Sequence, residues 1–489
     1  MTASGVVTSL DKLFEPRGVV VVGASTHPGK FGFVALHNIL SAGFQGRVAA
    51  VNRDGGTVLG LQTVKSLADL EPGAYDLAFV CTPPSTLPEI VDQAAAIGVS
   101  CVYLTTAGFR EASEDGARAE AALVQRARER GVVLIGPNGQ GVVSTPVGLW
   151  AQIVAPYPPR GSIGIVSQSG NFVSSFMNLA RFHEVGVSRA VSVGNAAMVS
   201  VADVLEWLAE DPHTSVCLAY VEGVGDGRRF REVLSATCRR KPVVLVKGGA
   251  TERGARAASS HTGSLATDHR TFTGVCRQAG AVLVDDVERA FDMAAAFATM
   301  PLPKGPRLVV VSTVGGWGVV AADTVSRTAL DLLELPDDLR CELDSHLPAR
   351  WSRNNPIDLA GGETRDTVPQ VLETVAKHPD VDSVVLLGVG IQSNQGRAER
   401  EGPFWPGEGL DRIVAFHERQ DRRYVRTALD LAREVGKPIA VATELAIADR
   451  SNPAIREAVA AGGFVFPSAQ RAVVALGEMW RHARRVAHD

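Results

Sequence analysis

Hydrophobic residues fall along the chain in short runs, and apolar positions recur at helical spacing between them. The first runs read "GVVVVGAS", "RVAAVN", "DLAFVCTP", "CVYLTTAGF" and "VVLIGPN". The stretches between them, such as "LPEIVDQAAAIG" and "DGARAEAALVQRARERG", have the pattern of amphipathic helices. Continuous β-branched runs that alternate with helices predict a parallel sheet covered on both faces.

Two Pro-rich joints, "APYPPRG" near residue 150 and "PLPKGPR" near residue 301, divide the chain. After each joint the same order begins: a strand, a small polar or Gly-rich turn, and a helix. We therefore predict an α/β protein with a Rossmann-like domain at 1–150 and two flavodoxin-like domains at 151–302 and 303–489. The polar stretch from Gln392 to Arg423 interrupts the third part, and we expect a surface loop with a short helix and no catalytic role.

Composition removes several classes of function. The 489 residues carry a formal net charge of −4, which gives no reason to expect nucleic acid or an anionic membrane as a partner. No apolar run reaches the ~18 residues of a membrane span, and the N-terminus lacks the basic-then-apolar order of a secretory signal. The six cysteines are scattered without a C-x-x-C pair, so we expect reduced thiols, no metal site and a cytoplasmic location.

Ligands of open α/β sheets bind beyond the carboxyl ends of the strands, so each strand-to-helix turn is a candidate site. The first turn, "GASTHPGKFG", is Gly-rich but is not a G-x-G-x-x-G sequence. The second strand ends in Asn52 and Arg53, where an enzyme that binds NAD usually has an acidic residue. A cation suits a phosphate, which favours coenzyme A or NADP over NAD. The candidate nucleotide-binding residues are Gly23, Ser25, Lys30, Gly32, Asn52 and Arg53.

Two later turns are candidates for anion binding. In "SQSGN", the residues Ser167, Gln168, Ser169 and Gly170 precede a helix whose first N–H groups and dipole would favour a phosphate. The alternative is an ordinary capping turn with Ser169 as the N-cap. The turn "TVGGWG", from Thr313 to Gly318, is equally consistent with anion binding and with a tight turn that allows close backbone packing.

His261 lies among small residues in "AASSHTGSLAT", on a loop that we expect at the carboxyl edge of the second sheet. Such a histidine can be a hydrogen-bonded structural residue. However, Glu222 ends the strand "CLAYVEG" at the same edge, and a carboxylate on one imidazole nitrogen makes the other nitrogen a better nucleophile. With "SQSGN" as the anion site, these residues form a candidate phosphohistidine site. A serine-hydrolase triad is disfavoured because the chain has no G-x-S-x-G sequence.

Together with these turns, the segments "TTAGFRE", "GPNGQGV", "VSVGN", "YVEGVGDGRRF" and "NPIDL" resemble, in this order, the alpha subunit of NDP-forming acyl-CoA synthetases. This family, which includes the ADP-forming acetate–CoA ligases, is related to the succinyl-CoA synthetase alpha subunit. The resemblance covers nearly the whole chain. It implies an N-terminal CoA-binding domain followed by two domains of the succinyl-CoA-synthetase type. It also implies His261 as the phosphorylated residue, Glu222 as the carboxylate that orients it, and "SQSGN" as the helix start that receives the phosphate.

The resemblance further implies the reaction acid + CoA + ATP = acyl-CoA + ADP + phosphate, through an acyl phosphate and phospho-His261. The substrate would be a small carboxylic acid or its acyl-CoA. No ATP-grasp region is evident, so ATP/ADP and Mg²⁺ would bind to a separate ATP-grasp beta subunit. The expected assembly is a hetero-oligomer with that subunit or a homodimer of this chain. Two alternatives are an acyl-CoA-binding regulatory module without ligase activity and an NADP-dependent oxidoreductase.

The sequence departs from the family pattern near the coenzyme and acyl regions. Arg53 and Asp54 stand where proline and lysine are usual, and Gly139 and Gln140 replace a cysteine and a leucine. Ala197 and Met198 replace the acidic end of a "GNKAD" run, and Thr267 follows "SLA" in place of glycine. These departures affect the acyl substrate and the coenzyme contacts, and they leave the assignment of His261 unchanged.

Overall fold

The computed structural model describes residues 6–7, 9–154, 157–251, 253–254, 268–359 and 366–488. The chain forms two compact units, Met1–Ala294 and Ala295–Asp489. Within these described residues, the first unit contains a five-stranded sheet, a seven-stranded sheet and a two-stranded hairpin, and the second unit contains a six-stranded sheet. In the described part of the chain, no helix combines the length and the apolarity that a membrane crossing requires.

The first sheet has five parallel strands in the order β2-β1-β5-β6-β7. Its strands are β1 (Gly18–Val22), β2 (Arg47–Val51), β5 (Leu77–Val80), β6 (Cys101–Leu104) and β7 (Val133–Ile135), and a small hairpin pairs β3 (Thr57–Val58) with β4 (Leu61–Gln62). The helices of this part are α1 (Asp11–Phe14), α2 (Phe31–Ser41), α3 (Leu87–Ala96) and α4 (Glu114–Arg130). Every residue of β1 is buried, as the uninterrupted "GVVVV" run predicts.

The second sheet has seven strands in the order β14-β13-β12-β10-β11-β8-β9. They are β8 (Gly141–Ser144), β9 (Leu149–Gln152), β10 (Arg160–Ser167), β11 (Val187–Ser192), β12 (Val216–Val221), β13 (Val243–Lys247) and β14 (Val282–Val284). The helices are α5 (Gly170–His183), α6 (Val201–Glu210), α7 (Gly227–Arg240), α8 (His269–Ala279) and α9 (Val287–Thr299). The hairpin β8–β9 adds to the sheet in antiparallel pairing, so the predicted boundary at residue 150 falls within β9.

Tyr103 of β6 connects the first sheet to the second. Its hydroxyl donates to Ser192 O at 2.6 Å, at the end of β11, and accepts from Gly141 N at 2.7 Å, at the start of β8. The ring is fully buried and stacks on Phe79. The Tyr103 side chain, which belongs to the first sheet, is therefore hydrogen-bonded to two backbone groups of the second sheet.

The third sheet has six strands in the order β16-β15-β18-β19-β20, with β17 paired to β15. They are β15 (Arg307–Ser312), β16 (Asp331–Leu332), β17 (Ile357–Asp358), β18 (Ser383–Leu387), β19 (Ile439–Ala442) and β20 (Val465–Phe466). The helices are α10 (Gly315–Val325), α11 (Asp337–Asp344), α12 (Thr367–Lys377), α13 (Ile391–Arg400), α14 (Leu410–Val435), α15 (Leu445–Ala448), α16 (Pro453–Ala460) and α17 (Ala469–His488). The α/β prediction with parallel sheets is confirmed.

The stretch from Gln392 to Arg423 is more helical than the expected surface loop with a short helix, because it contains most of α13, a connecting segment at 401–409 and the first half of α14. Although its composition is polar, α14 has a buried face that includes Asp421. The Asp421 carboxylate accepts hydrogen bonds from Gly390 N, Ser393 N and Ser393 Oγ. Gly396 allows α14 to pack closely, since a Cβ there would lie 2.9 Å from Val414 Cγ1. Hydropathy alone misses a helix interface built around a carboxylate.

Candidate functional site

A cleft of about 790 Å³ opens at the carboxyl edge of the first sheet, next to the turn between β1 and α2. This is the edge at which parallel α/β sheets bind nucleotides. All six residues predicted to contact a nucleotide line this cleft: Gly23, Ser25, Lys30, Gly32, Asn52 and Arg53.

Two glycines bring the start of α2 against the end of β1. Gly23 has a φ of +87°, and a Cβ there would lie 2.8 Å from Thr82 Cγ2. A Cβ on Gly32 would overlap with the carbonyl of Gly23. Among the described residues, no side chain caps the start of α2. The first N–H groups of this helix therefore remain available at the rim of the cleft.

Asn52 holds the loop in shape. Its Nδ2 donates to Ala24 O at 3.0 Å, and its Oδ1 accepts from Asp54 N at 2.9 Å. Arg53 is 92% exposed and Lys30 is also exposed, so both cations are free to move toward a ligand. Sequence reasoning missed a third cation of the cleft, Lys65, because it follows no motif and reaches this edge only through the β3–β4 hairpin.

The turn "SQSGN" connects β10 to α5, and its side chains mainly brace the turn. Ser167 is buried; its Oγ accepts from Ser169 N at 3.0 Å and donates to Ser169 O at 2.6 Å. Ser169 occupies the N-cap position of α5 but forms no side-chain capping bond within the described chain. Gly170 must be a glycine, since a Cβ there would lie 2.6 Å from Gln140 Cβ.

The third candidate turn, at the start of α10, repeats this construction in the second compact unit. Ser312 Oγ accepts from Val314 N at 3.0 Å and donates to Val314 O at 2.6 Å. In both turns, the hydroxyl of the buried serine that ends the strand is thus hydrogen-bonded to the backbone of the residue two positions later. This shared detail agrees with the similar strand–turn–helix pattern of the two regions.

Gln168 joins the turn of α5 to Glu222. Its Oε1 accepts from Glu222 N at 2.6 Å and from Gly223 N at 3.0 Å, and its Nε2 donates to Gly223 O at 3.0 Å. Glu222 is only 6% exposed. The structure thus brings together the predicted carboxylate and the predicted anion turn, and it assigns the Gln168 side chain to this connection.

Tyr220 and Lys247 surround Glu222, and sequence reasoning missed both. The Tyr220 hydroxyl donates a hydrogen bond to the Glu222 carboxylate, and burial together with that negative charge raises the pKa of Tyr220. Lys247 Nζ donates to Glu222 O at 2.7 Å and also to Gly248 O. Burial lowers the pKa of Lys247, against the opposing effect of the Glu222 charge. The tyrosine was detectable, because residues two apart on a strand share a face.

The start of α5 lies against this group of residues. Phe172 in its first turn stacks on Tyr220, with ring centroids 3.8 Å apart and an interplanar angle of 12°. Gly248 completes the fit, since a Cβ there would overlap with the Tyr220 hydroxyl. A helix N-terminus and a buried carboxylate are therefore held side by side at one sheet edge.

Three family models match successive parts of the chain. They are a CoA binding domain over residues 17–145, a succinyl-CoA ligase like flavodoxin domain over 160–297, and a ligase-CoA domain over 308–390. The alpha subunit of acetate–CoA ligase (ADP-forming) I from Pyrococcus furiosus is 35% identical over 383 residues, covering 78% of this chain and 82% of that subunit. The chain belongs to the family of ADP-forming acyl-CoA ligases.

Two further comparisons describe this ligase family. Acetate–CoA ligase (ADP-forming) I from Archaeoglobus fulgidus is 35% identical over 378 residues, which cover 77% of this chain and 54% of that protein. A solved structure, a dinucleotide-forming acetyl-coenzyme A synthetase 1 from Ca. Korarchaeum cryptofilum in complex with phosphate and ADP, is 29% identical with a TM-score of 0.83. That match covers 98% of both chains.

The residue predicted to carry the phosphoryl group, His261, lies outside the described residues, which end at Gly254 and resume at Asp268. Thr267, one of the departures from the ligase pattern, also lies there. Gln140, another departure, contacts the start of α5, since Ser174 Oγ donates to Gln140 Oε1 at 2.8 Å. In this member of the ligase family, the helix that faces Glu222 is therefore held by a residue that the family pattern does not predict.

Proposed function

We propose that this chain is the CoA-binding and phosphohistidine-bearing subunit of an ADP-forming acyl-CoA ligase. The reaction is acid + CoA + ATP = acyl-CoA + ADP + phosphate. The observation that carries the proposal is the connection of Glu222 to the start of α5 through Gln168, at 2.6 Å and 3.0 Å. This connection places a carboxylate for orienting an imidazole beside a helix N-terminus suited to a phosphate.

The cleft of the first sheet fits coenzyme A. Its phosphates are anions, and the cleft provides Lys30, Arg53 and Lys65 together with the uncapped start of α2. The glycines at positions 23 and 32 allow the backbone to approach a pyrophosphate closely. Coenzyme A supplies the thiol that forms the acyl thioester.

His261 acts as the phosphoryl carrier in this proposal. Acyl-CoA and phosphate exchange to give an acyl phosphate and free CoA. An imidazole nitrogen of His261 then attacks the phosphorus of the acyl phosphate, and the carboxylate of the acid leaves. Phospho-His261 passes its phosphoryl group to ADP, which gives ATP and restores the free imidazole; synthesis of acyl-CoA runs in reverse. Glu222 keeps the other imidazole nitrogen protonated, and α5 stabilises the phosphoryl oxygens.

In this proposal, a partner subunit binds the nucleotide. The relatives from Pyrococcus furiosus are alpha subunits, which implies a beta subunit. The chain covers 54% of the Archaeoglobus fulgidus ligase, so the remainder of that protein has room for a second function. We assign ATP/ADP and Mg²⁺ to an ATP-grasp beta subunit.

Labelling with γ-³²P-ATP tests the proposal directly. The full chain is incubated with its beta partner, and the expected product is an acid-labile, base-stable phosphoryl group on this chain. The label should disappear in His261→Ala and persist in His269→Ala, a change at the next histidine, which is exposed at the start of α8. Label that survives in His261→Ala contradicts the assignment, and absence of label from the wild-type pair contradicts the function.

A further inference from the structure

A second cavity, of about 550 Å³, lies at the carboxyl edge of the second sheet. Gln168 after β10 and Gly223 after β12 both line it. The chain runs from β10 outward to β11 and then returns to β12 on the other side of β10, so the strand order reverses between β10 and β12. Open α/β sheets form their ligand crevices at such switch points. The cavity volume is within the ~300–1,000 Å³ range of small-molecule sites.

This cavity lies on the opposite face of the sheet from Glu222. Val221 lines the cavity, and its neighbours Tyr220 and Glu222 point to the other face because successive strand residues alternate. Phe172 of α5 stacks on Tyr220, whereas Phe230 of α7 lines the cavity. The cavity is therefore separate from the proposed phosphoryl site, and among the described residues the Gln168 turn and the backbone after β12 border both.

The walls combine apolar surface with charged side chains of both signs. Ala196, Met198, Val221, Val224 and Phe230 supply the apolar part. Three arginines and two aspartates also line the cavity: Arg110, Arg128, Arg229, Asp203 and Asp226. Arg229 is already paired, since it donates to Asp203 Oδ1 at 2.6 Å and to Glu206 Oε2 at 2.8 Å.

Arg110 is different. Its Nε is buried and donates no hydrogen bond to any residue in the described ranges. Glu120 Oε1 lies 3.6 Å from it, so the two side chains form an ion pair, but this distance is longer than a hydrogen bond. The other oxygen of Glu120 and one oxygen of Glu111 both accept from Asn195 Nδ2, at 2.9 Å and 2.6 Å. A buried N–H without an acceptor costs about 1–3 kcal/mol, so an acceptor that comes from outside the chain would stabilise this arrangement.

We propose that the cavity binds a small amphipathic carboxylate as an effector, distinct from the acid that the ligase activates. The ligand carboxylate accepts a hydrogen bond from Arg110, and its apolar part packs against Val221, Met198 and Phe230. Gln168 lines the cavity and holds the backbone of Glu222. An occupant therefore contacts the residue that positions the orienting carboxylate.

Calorimetric titration of the full chain with hexanoate tests the site, and hexanamide serves as the uncharged control of equal length. We expect saturable 1:1 binding of hexanoate, at least tenfold tighter than that of hexanamide. Arg110→Gln should weaken hexanoate binding at least tenfold. Arg126→Gln is the matched control, because Arg126 lies in α4, which follows Arg110, but its guanidinium pairs with Asp92 and does not line the cavity. Glu222→Gln should keep the wild-type affinity, since this side chain faces away from the cavity.

Ala202→Leu provides a variant that changes no charge. Ala202 is buried and lines the cavity, so the larger side chain should fill it and abolish binding of hexanoate. This variant decides the question if Arg110→Gln fails to fold. Equal affinity for hexanoate and hexanamide, unchanged binding in both variants, or loss of binding in Glu222→Gln each overturns the proposal.

Discussion

The side-chain oxygen of Gln168 accepts hydrogen bonds from two consecutive backbone N–H groups, those of Glu222 and Gly223, at 2.6 Å and 3.0 Å. The side-chain amide of Gln168 thus fixes the backbone that carries the buried Glu222 carboxylate. Its nitrogen, Nε2, also donates a hydrogen bond to Gly223 O. The orientation of Glu222 therefore depends on a residue in the turn that follows the neighbouring strand β10.

Replacing Gln168 by leucine should disturb that orientation. Two backbone N–H groups lose their acceptor, and we expect a loss of about 1–3 kcal/mol in the free energy of unfolding. Phosphorylation of the chain by its partner and ATP should slow at least tenfold. Rapid-quench labelling measures the rate and thermal unfolding measures the stability. Gln125→Leu, at an exposed site on α4, is the control and should leave both unchanged.

Tyr220→Phe removes one hydroxyl and keeps the ring that stacks on Phe172. The hydroxyl donates to the Glu222 carboxylate, which favours the ionised form, so its removal makes Glu222 easier to protonate. We expect the acidic limb of the pH profile of His261 labelling to move to higher pH, with CoA affinity unchanged. A pH profile that coincides with that of the wild-type chain contradicts a positioning role for Tyr220.

Gly32→Ala should damage the coenzyme cleft. The added methyl group overlaps with Gly23 O, so α2 must move away from the end of β1. We expect a loss of about 1–3 kcal/mol in stability and at least tenfold weaker binding of CoA in a calorimetric titration. Gly274→Ala in α8 is the matched control, because a methyl group there meets open space. If both variants bind CoA like the wild type, the close approach has no role in binding.

Asp76→Asn should reveal a pH-dependent part of the stability. Burial alone would raise the pKa of Asp76, but hydrogen bonds from Arg17 and the charges of Arg17 and Lys12 outweigh it and hold the pKa below its usual value. The folded state thus binds this proton less readily than the unfolded state does. The contribution is present above the unfolded pKa of ~3.9 and is lost as the pH falls through the lower folded value.

Chemical unfolding at pH 7 and at pH values below 4 measures this contribution. The free-energy difference between the wild type and Asp76→Asn should shrink as the pH falls. Asp285→Asn, at an exposed ion pair with Arg289, should cause only a small and nearly constant change. A difference for Asp76→Asn that does not vary with pH contradicts the linkage to Arg17.

The sequence was sufficient to predict which residues line the cleft of the first sheet, because most of them are contiguous. Gly23, Ser25, Lys30 and Gly32 belong to one turn, and the parallel sheet places Asn52 and Arg53 beside that turn. Such a site follows from strand order alone. Lys65 escaped prediction because its position depends on a short hairpin that hydropathy does not mark.

The second site was predictable only in part. The carboxyl edge identified Glu222 and the "SQSGN" turn, but no pattern in the sequence indicates where an amide side chain will point. Gln168 was therefore assigned to an anion, whereas its hydrogen bonds go to the backbone of Glu222 and Gly223. The helix α14 was missed for a related reason, since its buried Asp421 looks like a surface residue in a hydropathy pattern.

The hydroxyl of Tyr103 has a consequence for how the chain can be divided. A fragment that stops at residue 150 would cut through β9 and would leave this buried phenol without the carbonyl of Ser192. The coenzyme half therefore cannot be excised cleanly from the half that carries Glu222. Domain exchange should succeed in the Pro-rich segment between the end of α9 at Thr299 and the start of β15 at Arg307, and should give insoluble fragments at residue 150.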